Sequence, residues 1–163
     1  MIKIVFTILA ALDLFLLFKK VLDRKIFIRE RHLLKKDLMR FQWLLKVTNE
    51  LLYLSISQKH WYQPLVEKGS KSIAIYGMGE LGMRLSEDLI LNGSIEFLYG
   101  LDINAHAISY VRPVYKLDEI HDLPKPDIIV LTTYCTTDNL KNLIVNETGC
   151  EVMCIEEIVN AIR

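Results

Sequence analysis

The chain has 163 residues, of which 52% are hydrophobic and 25% charged, with a formal net charge of zero. That is the size and apolar content of one domain with a real core, and it excludes an intrinsically disordered chain. The zero hides an asymmetry: residues 1–70 carry 13 Lys and Arg against 6 Asp and Glu, whereas residues 71–163 carry 7 against 14. The acidic half is unsuited to nucleic acid, while the basic half could attract a membrane surface, nucleic acid or an acidic partner.

The first element is an apolar run. From Ile4 to Phe18 only Thr7 and Asp13 interrupt it, and Lys19 and Lys20 follow at once, with Arg24, Lys25, Arg29 and Arg31 behind. On an insertion scale, large apolar residues at about −0.45 kcal/mol each outweigh a central Asp at about +3 kcal/mol. As a helix, residues 2–18 reach roughly 26 Å, at the short edge of a hydrocarbon core of about 30 Å. Residues 1–22 are therefore expected to form a retained membrane anchor, because a basic cluster stands where a cleavage site would be needed. The positive flank would keep the following chain on the cytoplasmic side of an inner membrane. The alternative is a cytoplasmic chain whose hydrophobic first helix packs on its own second helix or on a partner.

Residues 23–69 are expected to be a basic helical region. Between 26 and 54 there is neither Pro nor Gly, and Leu34, Leu38, Phe41, Leu45 and Leu52 recur at helical spacing. Arg29, Arg31, Lys35, Lys36 and Arg40 lie among them, as a solvated face or as a surface for anionic lipid or a protein partner. Trp43, Trp61 and Tyr62 are expected to pack rather than to stack on a ligand. A shorter helix is expected over 58–67, leading through Lys68, Gly69 and Ser70 to a strand.

That strand, residues 72–76, runs directly into Gly77-Met78-Gly79-Glu80-Leu81-Gly82, and a helical segment with Leu85 and Leu89 follows. A G-x-G-x-x-G turn between strand and helix has a physical logic. The first glycine makes the tight turn, the second lets a pyrophosphate approach the backbone, and the third lets helix and strand pack closely. Phosphate then meets the helix N-terminus. A second strand ends at Asp102, 20 residues after Gly82, where a carboxylate can take ribose hydroxyls.

Further along, a short strand at 113–115, an acidic turn at 117–122, a buried strand at 127–133, a helix near 138–147, a strand at 151–155 and a terminal helix complete the pattern. Residues 70–163 thus read as an α/β domain, Rossmann-like, with about five parallel strands in the order 3-2-1-4-5. The ligand is expected at the switch point between the first and fourth strands. Thr132, Thr133 and Tyr134 would then face the glycine turn, so the expected binding set is Gly77, Met78, Gly79, Glu80, Leu81, Gly82, Asp102, Thr132, Thr133 and Tyr134.

No catalytic set is visible. No tyrosine has a lysine four residues on, Met83-Arg84 stands where a phosphate loop needs Lys and Ser or Thr, and no serine sits in a nucleophile elbow. His106 and His121 read as surface or loop histidines. Cys135, Cys150 and Cys154 make neither a C-x-x-C pair nor a zinc grouping and read as reduced thiols, so no metal is expected.

The run from Lys71 to Gly82, the strand to Asp102 and the Pro113-Val114-Tyr115 and Leu117-Asp118-Glu119-Ile120 segments resemble small Rossmann-like domains of bacterial surface-polysaccharide clusters. They are similar to the N-terminal nucleotide-sugar-binding domains of bacterial sugar acyltransferases. The resemblance implies phosphates at Gly77, Gly79 and Gly82 and ribose at Asp102. It implies no transferase activity, because the β-helix acyltransferase domain has no counterpart in this sequence. NAD and a nucleotide sugar both remain open as ligand. So do three roles: an accessory binding protein of polysaccharide assembly, a small NAD-dependent oxidoreductase or sugar-modifying enzyme working with a partner chain, and a non-binding scaffold. If the anchor is correct, deleting residues 1–22 moves the chain from the membrane fraction to the supernatant; a full-length chain that is already in the supernatant refutes it.

Overall fold

The structure is a computed structural model that describes residues 2–134 and 138–162, with side chains from residue 19 onward. It divides into two units, residues 1–42 and 43–163. The expected thiol at Cys135 lies outside the described residues, as do the side chains of the apolar run up to Phe18. Among the described residues no helix is long and apolar enough to cross a membrane.

Helix α1, Ile2–Ile56, contributes to both units. Its last stretch belongs to the compact unit because Val47 and Leu54 are buried in that core and Trp43, Leu44 and Leu51 are partly covered. The spacing 43, 44, 47, 51, 54 is one helical face. The sequence groups residues 43–69 with a separate helical arm, whereas here they pack with the sheet. Gln58 at φ 55° turns the chain out of α1, and the amide of Lys59 returns to the Leu54 carbonyl at 2.9 Å. The helix expected over 58–67 is consequently shorter, α2 at Gln63–Glu67, because Gln58 ends one helix and Pro64 favours the start of the next.

From Ser72 the chain alternates strand and helix: β1 (Ser72–Tyr76), α3 (Glu80–Asn92), β2 (Glu96–Leu101), β3 (Val114–Tyr115), β4 (Ile128–Leu131), α4 (Asp138–Thr148), β5 (Glu151–Cys154) and α5 (Ile155–Ala161). Short 3₁₀ turns at Ala105–Ala107 and Leu117–Glu119 replace the helices on either side of β3. All strand pairs are parallel and the order is β3-β2-β1-β4-β5, as the sequence pattern predicts.

Both sheet faces are covered, which is why β4 is an uninterrupted apolar run. On one face Ile73, Ile75, Phe97, Ile128 and Val130 meet Leu81, Leu85 and Leu89 of α3, Ile155, Ile158 and Val159 of α5, and Leu65 of α2. On the other, Ala74, Tyr99, Leu101, Ile129 and Leu131 meet Ile144 of α4 with Cys150 and Cys154. These two cysteines are buried. Burial, with lesser effects from Cys150 and Tyr115, pushes the Tyr99 phenol up to about 12.

At the amino end of the sheet, Asp127 holds β1 to β4. Its Oδ2 accepts the amides of Lys71 at 2.8 Å and Ser72 at 3.0 Å and the Ser72 hydroxyl at 3.2 Å. Those backbone donors hold its carboxyl below the ordinary 3.8. A carboxyl lowered on folding stabilises fully above its unfolded value, and that contribution disappears as pH falls through the folded one. Asp127→Asn is therefore expected to melt lower at neutral pH and to show a flatter decline of melting temperature below about pH 4, measured by circular dichroism across acid pH.

Candidate functional site

The carboxyl edge of the sheet collects the chain's unusual residues. Gly77 leaves β1 at φ 100°, a conformation that L side chains rarely adopt, and a Cβ there would lie 2.6 Å from Cγ2 of Thr133. Its amide donates to the Leu101 carbonyl at 2.7 Å, tying the turn to the end of β2. Gly82, in the first turn of α3, faces back onto that turn, and a Cβ on it would be driven into the Gly77 carbonyl oxygen. Helix and strand thus touch backbone to backbone.

Gly79 differs from both. It is the N-cap of α3, its φ is an ordinary −77°, and an added Cβ would meet nothing within 4 Å. Glycine has no side chain to cap the helix, and among the described residues no side-chain cap bond is made there. Glu80 is the exposed acid of that first turn. Met78 and Leu81, in contrast, are 1% and 7% exposed, so they could meet a ligand only through their backbone. The Met78 side chain lies over Gly100 of β2, where a Cβ would come within 2.5 Å of its Cγ.

Asp102 follows β2 and is half-buried. Its amide donates to the Tyr115 carbonyl at 3.0 Å, and its Oδ1 accepts the Asn104 amide at 2.8 Å. The neighbouring Tyr76 phenol is raised above its ordinary 10.0, mainly by burial and also by the Asp102 charge. The loop beyond Asp102 is fastened to α3 by Tyr110, whose hydroxyl lies 2.8 Å from that of the buried Ser86.

The exit of β4 completes the edge. The Thr132 hydroxyl is buried and donates to the Gly77 carbonyl at 2.6 Å, with the Tyr76 carbonyl also within 3.2 Å. It braces the glycine turn from behind. Thr133 and Tyr134 are half-buried. The Tyr134 ring lies 6.0 Å from the ring of Trp43, tilted by 56°, and the Trp43 indole N–H donates to the Glu156 carboxylate at the start of α5. The late part of α1 therefore reaches the exits of β4 and β5.

The structure thus brings the glycine turn, Asp102 and residues 132–134 to one edge. Trp43, Glu156, Gly100 and the Tyr110–Ser86 pair are additions that the sequence reading did not assign. A glycine inside a strand signals close approach and could have drawn attention to Gly100. Nothing in the helical spacing of Trp43 could have named its partners. His106 lies 3.0 Å from Glu119 on the surface, and no group of three His, Cys, Asp or Glu suited to a metal occurs among the described residues.

Three solved structures are similar in part. RSP in complex with β-NADH matches 52% of this chain and 45% of its own at 17% identity and a TM-score of 0.44. UDP-D-quinovosamine 4-dehydrogenase from Vibrio fischeri matches over 56% and 85% of the two chains, at 20% identity and a TM-score of 0.41. RSP as a Rex-family repressor matches over 62% and 61%, at 16% identity and a TM-score of 0.43. The chain spans less than half the length of the first of these. No family model and no curated protein matches it.

Gly82 and Gly79 should separate in a stability assay. Gly82→Ala is expected to cost about 1–3 kcal/mol, because packed backbone must move apart. Gly79→Ala should change the unfolding midpoint far less, since its Cβ enters open space. Equal losses in urea titrations would show that the turn is not built this way.

Proposed function

We propose that residues 70–163 bind a nucleotide whose phosphates lie on Gly79 and the first amides of α3 and whose ribose meets Asp102. The observation that carries the reading is the contrast among the glycines. The fold itself requires Gly77 and Gly82, whereas Gly79 fills no packing need and leaves an uncapped helix start open. A pyrophosphate would satisfy those amides and the positive end of the helix dipole.

A carboxylate at the end of β2 accepts ribose hydroxyls and repels a 2′-phosphate, which favours NAD over NADP. A nucleotide sugar would use the same phosphate and ribose positions. Tyr134 and Trp43 supply aromatic surface at the β4 exit. The resemblance of the segment from Lys71 to Gly82 to sugar-acyltransferase nucleotide domains supports a nucleotide sugar and service in bacterial surface-polysaccharide assembly. The apolar run ending at Phe18 supports membrane attachment through residues 1–22, with this domain in the cytoplasm. In this reading the chain acts as a binding module, with Gly79 and the first amides of α3 for the phosphates and Asp102 for the ribose.

Thermal unfolding of the full chain, in non-ionic detergent, against NAD, NADH, NADP, UDP-sugars, GDP-sugars and coenzyme A tests the reading. A ligand at 100 times its dissociation constant adds about 2.7 kcal/mol. Gly79→Val should remove the shift without unfolding the chain, and Asp102→Ala should weaken ribose-bearing ligands by about 1–3 kcal/mol. Silence across the panel would refute nucleotide binding.

A further inference from the structure

Helix α1 carries a second apolar pattern in addition to the face that the compact unit buries. Phe27, Leu34, Leu38, Phe41, Leu45 and Leu52 are all between 47% and 74% exposed. Their steps of seven, four, three, four and seven residues follow a heptad repeat. Val47 and Leu54, which the compact unit buries, stand at c positions of that repeat, and Leu44 and Leu51, which it partly covers, stand at g, on one flank of the stripe. Six large apolar side chains at this spacing gain nothing from water, and a seven-residue apolar repeat, here filling six of eight seam positions, is the pattern of a left-handed supercoil.

In heptad terms, Arg31, Leu38, Leu45 and Leu52 take the a positions, and Phe27, Leu34, Phe41 and Thr48 the d positions. The g positions are Glu30, Asp37, Leu44 and Leu51, and the e positions are Ile28, Lys35, Gln42 and Asn49, so the charged flank lies at Glu30, Lys35 and Asp37. In a parallel pair of identical helices, a g residue faces the e residue five places on in the other copy, so Glu30 meets Lys35 twice by symmetry. An antiparallel pair sets g against g, bringing Glu30 and Asp37 together as like charges. The charges thus select both partner and direction. Arg31 is the polar a position and would face its own copy in a parallel pair; its guanidinium lies 5.6 Å from the Phe27 ring centroid, over that ring.

We infer that α1 pairs with α1 of a second copy of this chain as a parallel two-stranded coiled coil over residues 27–52. The pairing brings the two N-terminal apolar runs to the same end, which suits a common membrane surface. It does not depend on nucleotide binding.

Sedimentation velocity of the full chain at micromolar concentration, in non-ionic detergent, provides the test. A dimer is expected. Lys35→Glu should raise its dissociation constant roughly tenfold by setting Glu30 against an acid, and the double variant Glu30→Lys, Lys35→Glu should restore it. In the same dimer, Leu34→Cys should form an oxidant-induced cross-link between copies that the parent chain lacks. A monomer, a dimer indifferent to Lys35→Glu, a Lys35→Glu defect that the double variant fails to repair, or a dimer in which Leu34→Cys does not cross-link would each overturn the inference. So would a monomer that uses this face to bind anionic phospholipid vesicles.

Discussion

The contact between Gly82 of α3 and the Gly77 carbonyl is the constraint on which the carboxyl edge depends. Only a residue without a Cβ lets the helix start this close to the turn, and only a residue at ease with φ near 100° makes the turn. Thr132 then holds the same carbonyl from β4, so one backbone oxygen is the meeting point of β1, α3 and β4. That arrangement fixes where the first amides of α3 stand, and the open space at Gly79 follows from it. A phosphate site made of backbone needs this rigidity, because amides that moved would have to be reordered at each binding event.

Around this point the chain separates core packing from the candidate site by position along each strand. The middle of every strand is apolar and serves the core, while the carboxyl ends carry Gly77, Asp102, Thr132 and the Cys154-to-Glu156 start of α5. At the opposite end, Asp127 does a structural task with a similar carboxylate, accepting backbone amides to hold β1 to β4. The same chemical group is a fastening at one edge and a candidate ligand contact at the other. The difference is that Asp127 accepts the amides of Lys71 and Ser72 at the start of β1, across the sheet, whereas Asp102 accepts only the Asn104 amide of its own loop.

Helix α1 shows two periodic patterns written into one segment. One, at Val47 and Leu54, is consumed by the compact unit; the other, from Phe27 to Leu52, stays in water. Apolar residues at helical spacing announce a helix, and they do not say which stripe will find a partner within the chain. For this reason residues 43–69 read in sequence as part of an arm and belong in structure to the domain. The shortened α2 has a similar origin: residues 58–62 hold no glycine or proline to mark a break, yet Gln58 adopts positive φ.

By itself the sequence determined the fold. Alternating apolar runs and helical segments, with a glycine turn after the first strand, leave a parallel sheet in the order 3-2-1-4-5 as the arrangement that right-handed crossovers favour. It also determined which glycines and which aspartate stand at the carboxyl edge, because those are set by position in the strand-to-helix unit. Tertiary structure alone decided what each of them does. Which glycine packs and which stays open depends on what lies opposite a missing Cβ, and Thr133 and Met78 are distant in sequence from Gly77 and Gly100, which they oppose. Whether Thr132 meets a ligand or braces the turn depends on a 2.6 Å contact across 55 residues. Local patterns carry period and turn chemistry; contacts between distant residues come only with the folded chain.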